Sequence, residues 1–402
     1  MASRSQALPR KTAAKPRSDA TAVAKRRDQP AALLMVSTGA LVLLGLIMIL
    51  SASSVSSFAT YGSSFLYFNK QLLWAGIGLV GFIFFSRFDY RRLKKKGYAL
   101  LPVVGVLLLA VLIPGVGIVA GGSARWLGAG PLAFQPSELA KLALVLFLAD
   151  VFSRKKESTL RDVRHTLLPF APVVGLLTLL VMMQPDMGTT LLIGAIGLGM
   201  LFVAGAPLRF IVPIGASSLG LAATAALSAD YRRERVLAFM DPWADPLNTG
   251  YHTIQSLIAL GSGGWLGVGL GASRQKWSYI PNAHTDFIFS ILGEEMGLLG
   301  TLTVLGLFAF IVYLGIRTAR QARDRFGMFV ASGITIWIGV QAMINIGAVT
   351  ATMPITGVPL PLVSFGGSSL VVSLVAMGML TNIARQGRRA RAQMKARRSE
   401  KA

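Results

Sequence analysis

The chain has 402 residues, of which 53% are hydrophobic and 14% charged. Soluble domains carry about 25% charged residues, so a water-soluble fold could not hide this much apolar surface, and the expected solvent is a bilayer. The absence of cysteine and the presence of only three histidines (His165, His252 and His284) exclude a disulfide framework, a thiolate metal site and a multi-histidine centre. A formal net charge of +23 points to nucleic acid until the charges are placed along the chain.

Residues 1–30 are polar and rich in Ala, Lys and Arg, and they read as a disordered, basic cytoplasmic tail rather than a signal peptide. Ten apolar runs follow, at 31–52, 70–86, 98–119, 135–153, 166–184, 187–205, 208–229, 286–316, 326–351 and 363–385, each matched to a bilayer of about 30 Å. With the N-terminus inside, 32 of the 40 Lys and Arg fall on cytoplasmic segments or, as Arg209 and Arg385 do, at the cytoplasmic ends of the runs, as the positive-inside rule requires. The charge then belongs to anionic inner-leaflet lipid and not to nucleic acid. The expected fold is an all-α integral membrane domain over 31–385 with about ten transmembrane helices and both termini cytoplasmic. A basic tail over 386–402 follows it. One large outside loop, 230–285, lies between helices 7 and 8, and its residues 252–260 have the pattern of a short interfacial helix. Long ordered loops are commonly functional.

Four polar constellations stand where a membrane should not tolerate them. The first joins Arg125 to Gln135-Pro136-Ser137-Glu138 and Lys141. Pro136 suits a first helical turn, and Glu138 and Lys141, three apart, share a face. The group is either an internal ion pair or a partly cationic cavity open to the outer side. The second is Gln184-Pro185-Asp186 with Thr189, in which Asp186 is either a helix cap or a site residue. The third is His284-Thr285-Asp286 followed by Glu294 and Glu295. A carboxylate where a loop meets a membrane helix is a candidate general base. Eight residues place Glu294 about 80° around a helix from Asp286, within reach of the same cavity, with Glu295 directed elsewhere. An N-cap is the alternative for Asp286, and His284 reads as a loop hydrogen-bonding group. The fourth is Asn345-Ile346-Gly347 followed by the Pro354–Ser369 tract, with Pro359, Ser364, Gly366, Ser368 and Ser369. Its prolines and glycines break the helix, and such backbone survives at membrane depth only when buried in protein or lining a cavity. Its amides and hydroxyls can receive an anionic head group.

Taken together, these segments resemble the SEDS family of membrane proteins of cell shape, division and sporulation (FtsW, RodA, SpoVE), over about residues 35–385. The Pro354–Ser369 tract follows the family signature, with Phe365 where many relatives have Tyr. Leu257 and Leu292-Gly293-Glu294-Glu295 resemble the division branch, FtsW, whereas Asn282 stands where Glu is usual. The resemblance implies a peptidoglycan glycosyltransferase that polymerises lipid II, an undecaprenyl-pyrophosphate disaccharide-pentapeptide, in septal wall synthesis. It also implies a class B penicillin-binding protein as partner, along spans eight and nine, among other division membrane proteins. In that frame Asp286 is the expected base. Arg125, Glu138, Lys141, Asp186, His284, Glu294, Pro359, Ser364, Gly366, Ser368 and Ser369 are the expected substrate-binding set. A divalent cation, Mg or Mn, is the one cofactor the chemistry would admit, although the sequence carries no metal motif. A lipid II flippase, an elongation-type polymerase and a scaffold for the partner are the competing readings.

Overall fold

In hydrocarbon a backbone must pair its own N–H and C=O groups, so the apolar runs fold as helices. The computed structural model describes residues 29–401 apart from 121, 129, 131–132, 157–161, 228–232, 235–238, 278 and 282. The expectation of a disordered tail therefore lies outside the described residues, except that Gln29 and Pro30 already belong to the first helix.

The spans are α1 (Gln29–Tyr61), α2 (Leu66–Arg87), α3 (Lys96–Leu112), α4 (Pro136–Arg154), α5 (Val163–Met182), α6 (Met187–Val203) and α7 (Leu208–Leu227). After the large loop, which carries α8 (Tyr251–Ser262), come α9 (Ile288–Gln321), α10 (Arg325–Val349) and α11 (Gly367–Lys401). These helices fall where the ten apolar runs lie, and α8 covers the 252–260 stretch expected to be a short helix. The third run is shorter than expected. Pro114 disfavours helix at Ile113, Gly115 takes a left-handed turn (φ 85°), and the apolar residues Ile118–Ala120 form β1, antiparallel to β2 (Ser123–Trp126).

Helix α4 is the axis of the bundle. It is buried on every side from Glu138 to Phe152, apart from the partly covered Leu139, and it packs on α3, α6 and α10. Helix α2 lies along α11, and α9 lies along α10 and α1. Intrahelical hydroxyls are hidden in the usual way for lipid, with Thr38, Ser53, Thr335 and Thr381 each donating to the carbonyl one turn back.

Two departures from regular helix organise the outer half. Helix α9 breaks at Gly297 (φ 64°, ψ −163°). The groups freed by the break bond to the loop: Val268 N–H to Glu294 O (3.0 Å), Gly269 N–H to Glu295 O (3.1 Å) and Leu298 N–H to Gly264 O (2.9 Å). The second departure is the segment from Thr350 to Gly366. Leu360, Leu362 and Val363 are buried in protein, and the chain comes so close to α1 that a Cβ on Gly45 would lie 2.6 Å from Val363 O. Gly45 is near the middle of α1, so this non-helical backbone re-enters the membrane domain.

Gly45→Val is expected to push the 362–363 backbone off α1 and cost about 1–3 kcal/mol, the usual penalty of overpacking. Gly39→Ala, which meets nothing within 4 Å, is expected to leave stability unchanged. Thermal unfolding in detergent, followed by size-exclusion chromatography, compares the two.

Candidate active site

The re-entrant segment needs partners for its carbonyls, and α10 supplies them. Gln341 and Asn345, one turn apart and both buried, face the segment. Gln341 Nε2 donates to Pro359 O (2.9 Å). Asn345 Nδ2 donates to both Val358 O and Asp286 O (2.8 Å each). One amide thereby registers the loop carrying Asp286 against the re-entrant turn. From α2, Gln71 closes the far side, donating to Ser364 O (3.3 Å) and accepting from Gly366 N–H (3.2 Å). Ser364 Oγ accepts from Leu360 N–H (2.9 Å).

Asp286 is not the cap of α9. That position falls on Phe287, which makes no side-chain cap. The Asp286 carboxylate instead lies beside Gly357, where a Cβ would meet Oδ2 at 3.6 Å. On the other flank of the turn, Gly188 of α6 lies against Val358 and Thr356. Just before it, Asp186 caps α6, accepting from Thr189 N–H (3.1 Å) and Thr189 Oγ1 (2.9 Å). Gln135 Nε2 also reaches Asp186 (3.2 Å), and Gln135 N–H donates to Ser368 Oγ (3.0 Å). Thus Asp286, Asp186, Pro359, Ser364, Gly366 and Ser368 belong to one connected region around the turn, with Ser369 buried in the first turn of α11.

The cations are placed differently from one another. Arg125, on β2, is partly exposed and donates to Gln184 O (3.2 Å) and Pro185 O, which ties the hairpin to the turn before Asp186. Lys141 is 1% exposed. Its Nζ pairs with Glu138 Oε2 (2.7 Å), donates to Gln341 Oε1 (3.0 Å) and lies 4.9 Å from the Trp337 ring centroid. Of the two readings open for the first constellation, Glu138 and Lys141 form the internal ion pair. Removing one partner of such a pair costs about 3–5 kcal/mol because the other is left charged and dry. The pair reaches the site through Gln341, whose Oε1 also accepts from Trp337 Nε1 (2.7 Å).

Two placements correct the sequence reading. Glu294 does not turn to the cavity of Asp286. Both its carboxylate oxygens are engaged by the large loop, through Ser273 Oγ, Arg274 N–H (2.9 Å) and Gln275 N–H (3.4 Å). The break at Gly297 admits loop backbone at this level of α9, so helical angles alone do not set what Glu294 meets. Glu295 does point elsewhere, to Ser51 Oγ (2.6 Å) and Lys276 Nζ (3.5 Å). The His284 ring is held among aromatics, 4.5 Å from the Tyr67 centroid and 5.4 Å from that of Phe365. Its hydrogen bond is made by its backbone carbonyl, from Phe365 N–H (2.9 Å). Burial lowers the imidazole from 6.5 to about 4. Among the described residues no three His, Asp or Glu groups gather to hold a metal ion.

Gln341, Asn345 and Gln71 were not among the expected substrate-binding residues. The available signal was the occurrence of amides at i and i+4 inside an apolar helix, where each must have a partner.

The family model described as "Cell cycle protein", of the FtsW, RodA and SpoVE proteins, matches residues 31–389. The chain belongs to this family. It is 43% identical to stage V sporulation protein E of Bacillus subtilis (strain 168), over 90% of this chain and 99% of that protein. It is 40% identical to the probable peptidoglycan glycosyltransferase FtsW of Geobacter metallireducens, over 87% and 93%. Among solved structures it resembles a chain from work on the coordination of polymerization and crosslinking by a peptidoglycan synthase complex. That match has a TM-score of 0.72 at 30% identity, covering 88% of this chain and 97% of that one. The rod shape determining protein RodA of Thermus thermophilus matches with a TM-score of 0.65 at 28% identity, over 88% and 96%.

A neutral, buried His284 makes stability depend on pH. The unfolded chain takes up the proton first, so the contribution is complete above pH 6.5 and is lost as pH falls towards 4, by at most about 1.4 kcal/mol per pH unit. Melting curves between pH 7.5 and 4.5 are expected to show this slope in the wild type and a flatter one in His284→Phe.

Proposed function

We propose that the chain is a peptidoglycan glycosyltransferase that polymerises lipid II at the outer face of the cytoplasmic membrane, with Asp286 as its general base. The observation that carries the reading is the placement of Asp286. Its carboxylate lies beside the glycine of a re-entrant turn, and its backbone is fixed by a buried amide. A lipid-linked substrate keeps its tail in hydrocarbon and its head outside. A catalyst for it therefore needs its base where the membrane domain opens outward, and the loop entering α9 meets that need.

Asp286 takes the proton of the acceptor sugar's 4-hydroxyl as that oxygen attacks the donor's anomeric carbon. The bond from that carbon to the pyrophosphate breaks, the electron pair leaves with the undecaprenyl pyrophosphate, and the configuration inverts. Arg125, the cation at the outer rim, faces the charge that develops on the leaving group. Lys141 is too deeply buried to do so directly and serves as a positioning group, with Glu138, through Gln341 and the Pro359 carbonyl. Asp186 acts on the opposite flank by fixing the start of α6 against the turn. A divalent cation would have to draw most of its ligands from the substrate's pyrophosphate, since the described residues do not gather a set for it, and no step is assigned to it.

The relatives' names favour polymerisation over lipid transport or a purely scaffolding role. They also favour the division and sporulation branches, and so a septal location, over elongation. A crosslinking penicillin-binding protein is the fitting partner, by analogy with the synthase complex. The lipid-facing side of α9, with Leu298, Leu302 and Tyr313 exposed, suits its membrane helix.

Polymerisation of purified lipid II, with the cognate class B penicillin-binding protein present, tests the reading. Asp286→Asn is expected to give no glycan while the protein stays folded and partner-bound; product equal to wild type would remove Asp286 from the chemistry. Asn345→Ala is expected to lower kcat by about 10- to 100-fold, the usual cost of a base displaced by about an ångström, with KM little changed.

A further inference from the structure

The cytoplasmic end of the bundle holds a second concave site, outside the machinery described above. The turn before α3, the end of α4 and the start of α10 enclose a cavity of about 470 Å³. Four cations line it, Lys94, Lys95, Arg154 and Arg325, against two carboxylates, Asp150 and Asp324. Both carboxylates are already engaged. Asp150 pairs with Arg154. Asp324 accepts from Tyr90 OH (2.6 Å) and from Gly327 N–H as the cap of α10 (3.3 Å), and it pairs with Lys94 (3.3 Å). Arg325 donates to the Lys155 carbonyl (2.8 Å), which carries no counter-charge. Among the described residues of the cavity wall, two positive charges are thus left over in a concave space at the inner leaflet.

Three features set this place apart from an ordinary basic membrane edge. The cations converge on a cavity from three elements that are distant in sequence. Lys95 sits in a left-handed conformation (φ 66°), unfavourable for a lysine, and the turn that holds it brings Lys94 and Lys95 together at the cavity. The two ion pairs are half-open to solvent on their basic side, with the side chains of Lys94 46% and Arg154 47% exposed. Such pairs are weak enough to yield a donor to a better acceptor. A phosphodiester is that acceptor, because Arg and Lys donate to phosphate with charge assistance.

We propose that this cavity binds the phosphate head group of one anionic inner-leaflet phospholipid, such as phosphatidylglycerol. The lipid phosphate sits between Lys95 and Arg325 and shares Lys94 and Arg154 with their carboxylates. Bound there, it joins α3, α4 and α10, the last two being the helices that carry Lys141, Gln341 and Asn345. The site itself does not depend on the catalytic reading, since none of its residues belongs to that machinery.

Full-length protein in detergent, titrated with phosphatidylglycerol, phosphatidylcholine or inorganic phosphate and read by native mass spectrometry and thermal shift, tests the proposal. One phosphatidylglycerol should be retained in preference to phosphatidylcholine, and millimolar inorganic phosphate should not displace it. Lys95→Asn with Arg325→Gln should weaken retention by about tenfold or more, and the asparagine keeps the left-handed turn, so folding is preserved. Arg317→Gln, which removes a cytoplasmic charge elsewhere, should leave retention unchanged. Equal retention of the two lipids, displacement by inorganic phosphate, or an Arg317 variant as impaired as the double variant would each overturn it.

Discussion

The structure depends on one constraint: a stretch of backbone that is not helical has to be paired inside a domain that offers no water. Between Thr350 and Gly366 the chain abandons helix, and the carbonyls and amides that other backbone does not pair call for a side chain from a neighbour. Gln341, Asn345 and Gln71 answer that demand from α10 and α2. Because the pairing is obligatory, it is also precise. The amide that satisfies Val358 O satisfies Asp286 O as well, so the pairing of the turn and the placement of Asp286 are one interaction.

The buried charges follow from the same requirement. A lysine at the centre of a bundle is tolerable only with a counter-charge and further acceptors, and Lys141 has Glu138, the Gln341 oxygen and the Trp337 face. Its effect reaches the re-entrant turn through Gln341, whose oxygen accepts from both Lys141 and Trp337 while its amide donates to Pro359 O. Polar groups that look separate along the chain, at 135–141, 184–189, 284–286, 341–345 and 354–369, thereby become one framework. On the other side of the site, the break at Gly297 lets the large loop bond into α9, and Glu294 and Lys276 hold that loop in place.

The outer and inner ends of the domain use charge in opposite ways. At the outer end, Arg125, Asp186 and Glu294 are each held by specific backbone atoms. At the inner end cations are numerous, partly exposed and in excess over their counter-ions, which suits contact with a fluid anionic surface. The helices α4 and α10 run between the two ends, so the elements that frame the inner cavity also carry the residues that register the site.

Much of this was legible in the sequence. The spans, their orientation and the short helix in the large loop are local consequences of hydropathy and of where Lys and Arg fall. Asp286 stood out in the sequence too, because a carboxylate at the mouth of a membrane helix needs a reason to be there, and the structure places it beside the re-entrant turn. Helical periodicity failed where the helix itself fails. Glu294 was misplaced because Gly297 opens α9 to a loop, and the third run was read too long because its last apolar residues pair as a strand. The roles of Gln341, Asn345 and Lys141 are decided only by tertiary structure. A buried polar group takes its function from whichever partner the fold brings within 3 Å, and those partners lie on segments far apart in the chain.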